Sequence, residues 1–294
     1  MLRTVLVTGC SSGIGQAIAC LLAEEGFHVL AGVRSEEHAA ALVDLKYPLI
    51  EPVQLDVTQA GQIDRVLAHV ESQHGEEGLY GLVNNAGLGL PAALELTTLE
   101  EVHRLFEVNT LGPLRLIQSC LPHLRRGSQL GHRAGRIVNI SSINGFVALP
   151  TVGAYSASKF ALEAISDTLR VELRPWGVTV SLIQPGQTNT AIFAKSRVAL
   201  AQRTQQIPPH LQAGYEPLYV RASRFNERGA RSSTSPEKVA QAVLRALQAK
   251  RPKARYKVGY DAHGLALMRA ILPQRLIDRM FARASGVLKA CREM

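Results

Sequence analysis

Short apolar runs rich in β-branched residues alternate along the chain with stretches whose apolar positions recur at helical spacing. The runs at residues 5–7, 29–33, 50–55, 81–83, 135–140, 178–183 and, more weakly, 257–258 predict strands. Between them, residues 14–25, 63–73, 100–124, 155–174 and 236–250 predict helices. Strand and helix in alternation mean parallel pairing, and right-handed crossovers place helices on both faces of such a sheet. The expected architecture is a single α/β domain, a doubly wound parallel sheet over residues 1–255. A helical C-terminal extension follows over residues 256–294. Residues 190–235 carry Pro208, Pro209 and Pro217 with several aromatics and predict one long irregular segment, which in a compact domain reads as a substrate lid.

The extension has its own pattern. Leu265, Met268, Ile271 and Leu272, then Leu276, Ile277, Met280 and Phe281, recur at helical spacing, with Arg269, Arg275, Arg279 and Arg283 on other faces. Pro273 divides it into two short amphipathic helices.

Composition narrows the class. With 294 residues, 46% hydrophobic and 19% charged, the chain is neither disordered, collagenous nor a disulfide scaffold. Its four cysteines form no C-x-x-C pair and its nine histidines no H-E-x-x-H, so a reduced, metal-free protein of the cytoplasm is expected. Residues 4–23 lack charge, yet Thr8, Gly9, Ser11, Ser12, Gly13, Gly15 and Gln16 interrupt the run before it could act as a signal or span. The net charge of +9 is uneven. Residues 221–294 hold 17 Lys/Arg against 5 Asp/Glu, leaving 16 against 19 for the rest. Cations spread along helices make a solvated face first and a weak membrane-surface contact second. No RNA- or DNA-binding pattern accompanies them, so no nucleic-acid partner is expected.

The chemistry lies where the strands end. The first strand runs into Thr8-Gly9-Cys10-Ser11-Ser12-Gly13-Ile14-Gly15 and directly into a helix. Glycines there let backbone approach a pyrophosphate seated on free helix N–H groups, although the spacing G-x3-G-x-G departs from G-x-G-x-x-G, and a bare tight turn is the bland reading. Tyr155 and Lys159, four apart, share one helix face. A free phenol near pKa 10 transfers protons poorly at neutrality, and an ammonium within about 4–6 Å lowers it by about 1–3 units. Alone, such a pair is a core edge and a surface charge, and Ser141-Ser142 after a strand is a turn.

Together with Asn84-Asn85-Ala86-Gly87, Asn109 and Pro185-Gly186, these motifs resemble the short-chain dehydrogenase/reductase family over roughly residues 1–250. The resemblance implies a Rossmann-like fold and a nicotinamide cofactor. It gives Tyr155 the role of proton donor or acceptor, Lys159 that of its modulator and ribose ligand, and Ser142, rather than Ser141, that of partner to the substrate oxygen. Asn109 would hold a water leading to the lysine. Cofactor contacts would come from Gly9, Ser11, Ser12, Gly13, Ile14, Gly15, Asp56, Val57, Asn85, Ala86, Gly87, Pro185, Gly186, Thr188 and Thr190, with Asp56 on the adenine amino group. As a bland reading, Asp56 would cap the next helix, for which Thr58 is better placed. Val33 and Arg34 end the second strand, a base where NAD sites carry an acid, so NADP is the expected cofactor. Glu36 and Glu37 close behind, and Ser12 in place of a base, keep NAD as the alternative. The tail resembles those of steroid and retinoid dehydrogenases, which cover the pocket and in some members touch membrane.

The expected activity is therefore NADP-dependent hydride transfer to or from a carbonyl or alcohol of a hydrophobic small molecule, such as a steroid, retinoid or long-chain ketone. Phe193, Tyr215, Tyr219 and Phe225 either line its pocket or belong to the core. Rival readings are an NAD-linked dehydrogenase of a small hydroxy acid or sugar, a non-catalytic dinucleotide sensor, and a lipid-surface module. The resemblance also implies a homodimer or homotetramer through the helices near 100–124 and 155–174.

Overall fold

All seven expected strands form in the computed structural model, which describes residues 3–75, 77–129, 135–189, 191–285 and 287. In chain order the elements begin β1 (Arg3–Thr8), α1 (Gly13–Glu24), β2 (Phe27–Val33), α2 (Glu36–Val43), β3 (Ile50–Gln54), α3 (Ala60–His74) and β4 (Gly81–Asn84). There follow α4 (Leu99–Phe106), α5 (Gly112–Gln129), β5 (Arg136–Ile140), α6 (Gly153–Glu172) and β6 (Thr179–Pro185). The chain continues through α7 (Ala191–Gln205), α8 (Gln212–Ser232), α9 (Pro236–Gln248), β7 (Arg255–Val258), α10 (Tyr260–Ile271) and α11 (Gln274–Ser285).

The strands pair in parallel in the order β3-β2-β1-β4-β5-β6-β7. Growth of the sheet reverses between β1 and β4, which opens a crevice at the carboxyl ends of those strands. Alternation sorts the side chains between two cores. In β1, Val5 and Val7 meet Ile18, Leu22, Val239 and Val243 from α1 and α9, while Leu6 points the other way to Ile63, Leu116 and Ile117 of α3 and α5. Each such aliphatic, fully buried, contributes about 1.5–3 kcal/mol.

Three differences from the sequence expectations have physical causes. Residues 190–235 are mostly helical, as α7 and α8. The first has no apolar stripe to betray it and the second carries Pro217 inside it, so periodicity misses both. The pair closes over its own small core, in which Tyr219 is fully buried with Leu200 and Ile207, and the Tyr219 hydroxyl accepts a hydrogen bond from Ala93 N at 2.9 Å. Second, α2 was not foreseen; Ser35 caps it by accepting from His38 N. Third, the helix expected over 100–124 is broken by a wider π-type turn at Glu107–Leu111, centred on Asn109. The weak strand expected over 257–258 forms as the end of β7, which begins at Arg255.

Candidate active site

A cavity of about 1700 Å³ occupies the crevice, larger than the roughly 300–1,000 Å³ that holds one small ligand. It has room for a dinucleotide and a second molecule. At one end lie Gly9, Ser11, Ser12, Gly13, Ile14 and Gly15. Gly9 (φ 71°) and Gly13 (φ 60°) sit in the left-handed region that favours glycine, and Ser12 starts α1 with no acidic side chain in its first turn. The first N–H groups of α1 therefore face the cavity unneutralised.

Asn85 braces this loop from the side. Its Nδ2 donates to Thr8 O (2.9 Å) and Gly9 O (3.1 Å), and Thr8 Oγ1 accepts from the backbone N–H groups of Asn85 and Ala86 at 3.0 and 2.9 Å. Thr8, absent from the expected site residues, is thus the pin between the two loops. At the end of β2, Val33 and the exposed Arg34 line the cavity, whereas Glu36 and Glu37 lie in the first turn of α2 and do not line it. Asp56 and Val57 line the same region. Asp56 Oδ1 accepts from Thr58 N (2.9 Å) and Thr58 Oγ1 (2.8 Å), a local turn, and α3 starts later with Gln59 rather than Thr58 at its N-cap.

Ser142, Tyr155 and Lys159 meet deeper in the cavity. Strand β5 carries the serine to its carboxyl end and α6 presents the other two on one face. Ser142 Oγ accepts from Asn144 N at 3.1 Å, which orients it, and its hydroxyl favours the ionised form of Tyr155. Lys159 Nζ donates to Ile140 O at 2.9 Å and stands 5.9 Å from the Tyr155 ring centroid. Burial pushes the Tyr155 phenol up from its ordinary value, and the Ser142 hydroxyl pulls it only part of the way back. The spacing argument expected the opposite net sign. Burial also lowers Lys159, to about 8, against the opposing pull of Glu163.

Asn109 is fully buried and does not line the cavity. Its Nδ2 donates to Leu88 O and Ser158 Oγ and its Oδ1 accepts from Leu88 N, so the side chain holds the loop after β4. Beside it, the spot a Cβ on Gly87 would take lies 3.4 Å from Asn109 Oδ1 and 3.8 Å from Lys159 Nζ. Pro185, Gly186 and Thr188 close the far wall. Their loop is laced to Thr234 and to Asp261, whose Oδ2 accepts from Gln187 N at 2.7 Å. Thr190 lies outside the described residues, as do the side chains of Phe193 and Phe225. Tyr215 and Tyr219 pack in the small core between α7 and α8 and not on the cavity.

The apolar wall comes from Leu88, Ile143, Leu149, Val152 and Leu218, none in a motif, and from Leu265 and Phe281 of the tail. The tail helices thus cover the pocket with part of their apolar face. Ile277 is buried, while Leu267, Ile271, Leu276 and Met280 are exposed. No helix among the described residues is long and apolar enough to cross a membrane. Leu265 and Phe281 line the cavity and belong to none of the dinucleotide-binding loops, so if the cavity takes apolar ketones, replacing both by Ala should raise KM for bulky ones about 5- to 30-fold through lost contact. KM for acetone-sized ketones and dinucleotide affinity should stay within about twofold, as steady-state kinetics would show.

A parallel doubly wound sheet with a glycine-lined helix N-terminus and a Ser-Tyr-Lys cluster at its switch point defines a dinucleotide-dependent oxidoreductase architecture. The family model described as short chain dehydrogenase matches residues 3–200, and the chain belongs to that family. It is similar to retinol dehydrogenase 5 of Mus musculus, 35% identical over 280 residues, covering 93% of this chain and 86% of that one. It is likewise 35% identical over 287 residues to 17-beta-hydroxysteroid dehydrogenase type 6 of Homo sapiens, covering 96% and 88%. Two similar solved structures are short-chain dehydrogenases, each 26% identical and covering 95% of this chain. One, from Burkholderia cenocepacia, is in complex with NADP (TM-score 0.71, 97% of that chain), and the other, from Burkholderia phymatum, with NAD (TM-score 0.74, 95%).

Proposed function

We propose that this protein moves a hydride between NADP and the carbonyl or hydroxyl carbon of a hydrophobic small molecule, with Tyr155 giving or taking the proton. The observation that carries the reading is the convergence of Ser142, Tyr155 and Lys159 on one cavity whose other end is the glycine cradle. That cradle fits a dinucleotide. A Cβ on Gly15 would fall 2.1 Å from Gly9 O, so backbone packs there with no side chain between α1 and an incoming pyrophosphate. When bound, the nicotinamide supplies or accepts the hydride.

The chain's own residues do the rest. Ser142 donates to the substrate oxygen, where charge changes as the carbon is reduced. The raised Tyr155 phenol holds its proton at neutral pH and delivers it to that oxygen. Lys159 in its ammonium form stabilises the phenolate left behind, and Asn109 with the space beside Gly87 offers a place for a water that returns the proton. The apolar wall and tail exclude bulk water and select a retinoid-, steroid- or long-chain-like substrate. The exposed apolar residues Leu111 of the π-type turn and Phe160 and Val171 of α6 are where a second copy would pack.

The test is oxidation of NADPH and NADH with a panel of apolar ketones and aldehydes; failure of every pair to react overturns the reading. Cofactor choice has its own test. Arg34→Ala should weaken NADPH about 10- to 100-fold, since a charge-assisted contact to phosphate is worth about 1.5–3 kcal/mol, and leave NADH nearly unchanged. Equal losses in fluorescence titrations would remove Arg34 from the 2′-phosphate.

A further inference from the structure

Lys159 begins a line of alternating charge that the catalytic assignment does not use. On the same face of α6 follow Glu163, Asp167 and Arg170, spaced four, four and three residues apart. Arg255, from edge strand β7, bridges the two acids: its Nε donates to Glu163 Oε2 at 3.0 Å, and its Nη2 donates to Asp167 Oδ1 and Oδ2 at 2.8 and 2.7 Å. Arg170 closes the line on Asp167 Oδ1 at 2.7 Å. Glu163 is only 6% exposed, and its second oxygen accepts from Gln184 Nε2 of β6 at 2.9 Å. Both oxygens are thus tied toward β6 and β7.

The consequence is geometric. A carboxylate one turn from a buried ammonium could swing onto it and pull it out of the cavity. Here no ion pair within 4 Å joins the two among the described residues, and Lys159 Nζ stays on Ile140 O instead. Gly145 permits this close arrangement: a Cβ there would lie 3.0 Å from Glu163 Cγ and 2.4 Å from Ser141 Oγ. We propose that Glu163, anchored by Gln184 and Arg255, is a positioning residue that keeps Lys159 positively charged without sequestering it.

The other groups around Lys159 do not supply that charge balance. On α6 there is the neutral phenol of Tyr155; β5 and β6 present the Ile140 carbonyl and Gln184; the π-type turn presents Asn109 and Ser158 lies beside it. Arg104 of α4 and Glu107 of that turn line the same cavity, and β7 adds two cations, Arg255 behind Glu163 and Lys257 in register with Gln184. Buried and without Glu163, the ammonium would lose its nearby counter-charge, and desolvation would drive its proton off.

The inference rests on the role given to Lys159, so its test reads the lysine directly as well as turnover. In protein carrying 13C at lysine Cε, the Lys159 resonance, assigned by its loss in Lys159→Arg, should titrate with a midpoint near 8 and fall by about one unit in Glu163→Gln. Glu163→Asp should restore it to within half a unit. If Glu163→Gln fails to fold, the double variant Glu163→Gln/Arg255→Gln, which removes both partners of the pair, should show a fall of half a unit or more. An unmoved midpoint in the folded variant overturns the inference. The alkaline limb of kcat/KM for ketone reduction should move down with the midpoint, with the plateau at lower pH within threefold of the parent. A midpoint that falls while the limb stands still supports the action of Glu163 and overturns instead the role of Lys159 in turnover.

Discussion

Tyr155→Phe should lower kcat for ketone reduction by about 10²- to 10⁴-fold, the range expected when a general acid is removed, while NADPH affinity stays within about threefold. The substitution deletes one oxygen and keeps the ring, so the packing that half-buries the side chain persists. Ser142 keeps its orientation, because Asn144 N still donates to its Oγ. What disappears is the proton that the raised phenol carries at neutral pH. The sign of the pH dependence follows. In the parent, Lys159 is charged below about 8 and neutral above it, so stabilisation of the nascent phenolate, and with it kcat/KM for reduction, should fade as pH rises through that value. In Tyr155→Phe the residual rate should lose this limb, since no phenolate forms. Pre-steady-state absorbance of the reduced dinucleotide together with its fluorescence titration separates chemistry from binding. Turnover within tenfold of the parent would remove Tyr155 from the chemistry.

The frame of this site was legible because strands buried on both faces must be continuously apolar, and because its polar residues stand at the strand ends where no core demand explains them. Ser142 follows the end of β5 and Gly9 and Gly13 follow β1, while Tyr155 and Lys159 stand near the start of α6, the helix after β5. The sign of the Tyr155 shift was not legible, since it depends on how much water the surrounding loops exclude, and spacing on one helix says nothing of that. Nor was the partnership of Glu163 with Arg255, which lies 92 residues away. The helicity of α7 escaped for a different reason: its residues draw no stripe, so the helix is supported by α8 and the small core around Tyr219. In the tail, periodicity found both helices but not which apolar side chains would be covered. Phe281 reaches the cavity, whereas Met280, on the same expected stripe, is 43% exposed.

Gly15→Ala should weaken NADPH and NADH alike by at least about 100-fold, an effect that no cofactor-specific contact would produce. A Cβ at this position would lie 2.1 Å from Gly9 O and 2.5 Å from Asn85 Nδ2. Neither neighbour can yield cheaply. The Gly9 carbonyl belongs to a turn already at φ 71°, and Asn85 Nδ2 is engaged with Thr8 O and Gly9 O. Relief must come from moving the glycine loop into the cavity or α1 away from β1, and either misplaces the N–H groups that would receive the pyrophosphate. Such overpacking costs about 1–3 kcal/mol, which for a chain of this size lowers Tm by roughly 2–12 °C. Gly61→Ala is the matched control. It sits in the first turn of α3 with nothing within 4 Å of the new Cβ, so it should leave affinity unchanged and raise stability by about 0.5–1 kcal/mol. Calorimetric titration of both dinucleotides against the two variants, beside their melting curves, decides the matter. A Gly15→Ala protein that binds within threefold of the parent would mean that the pyrophosphate does not rest on the start of α1.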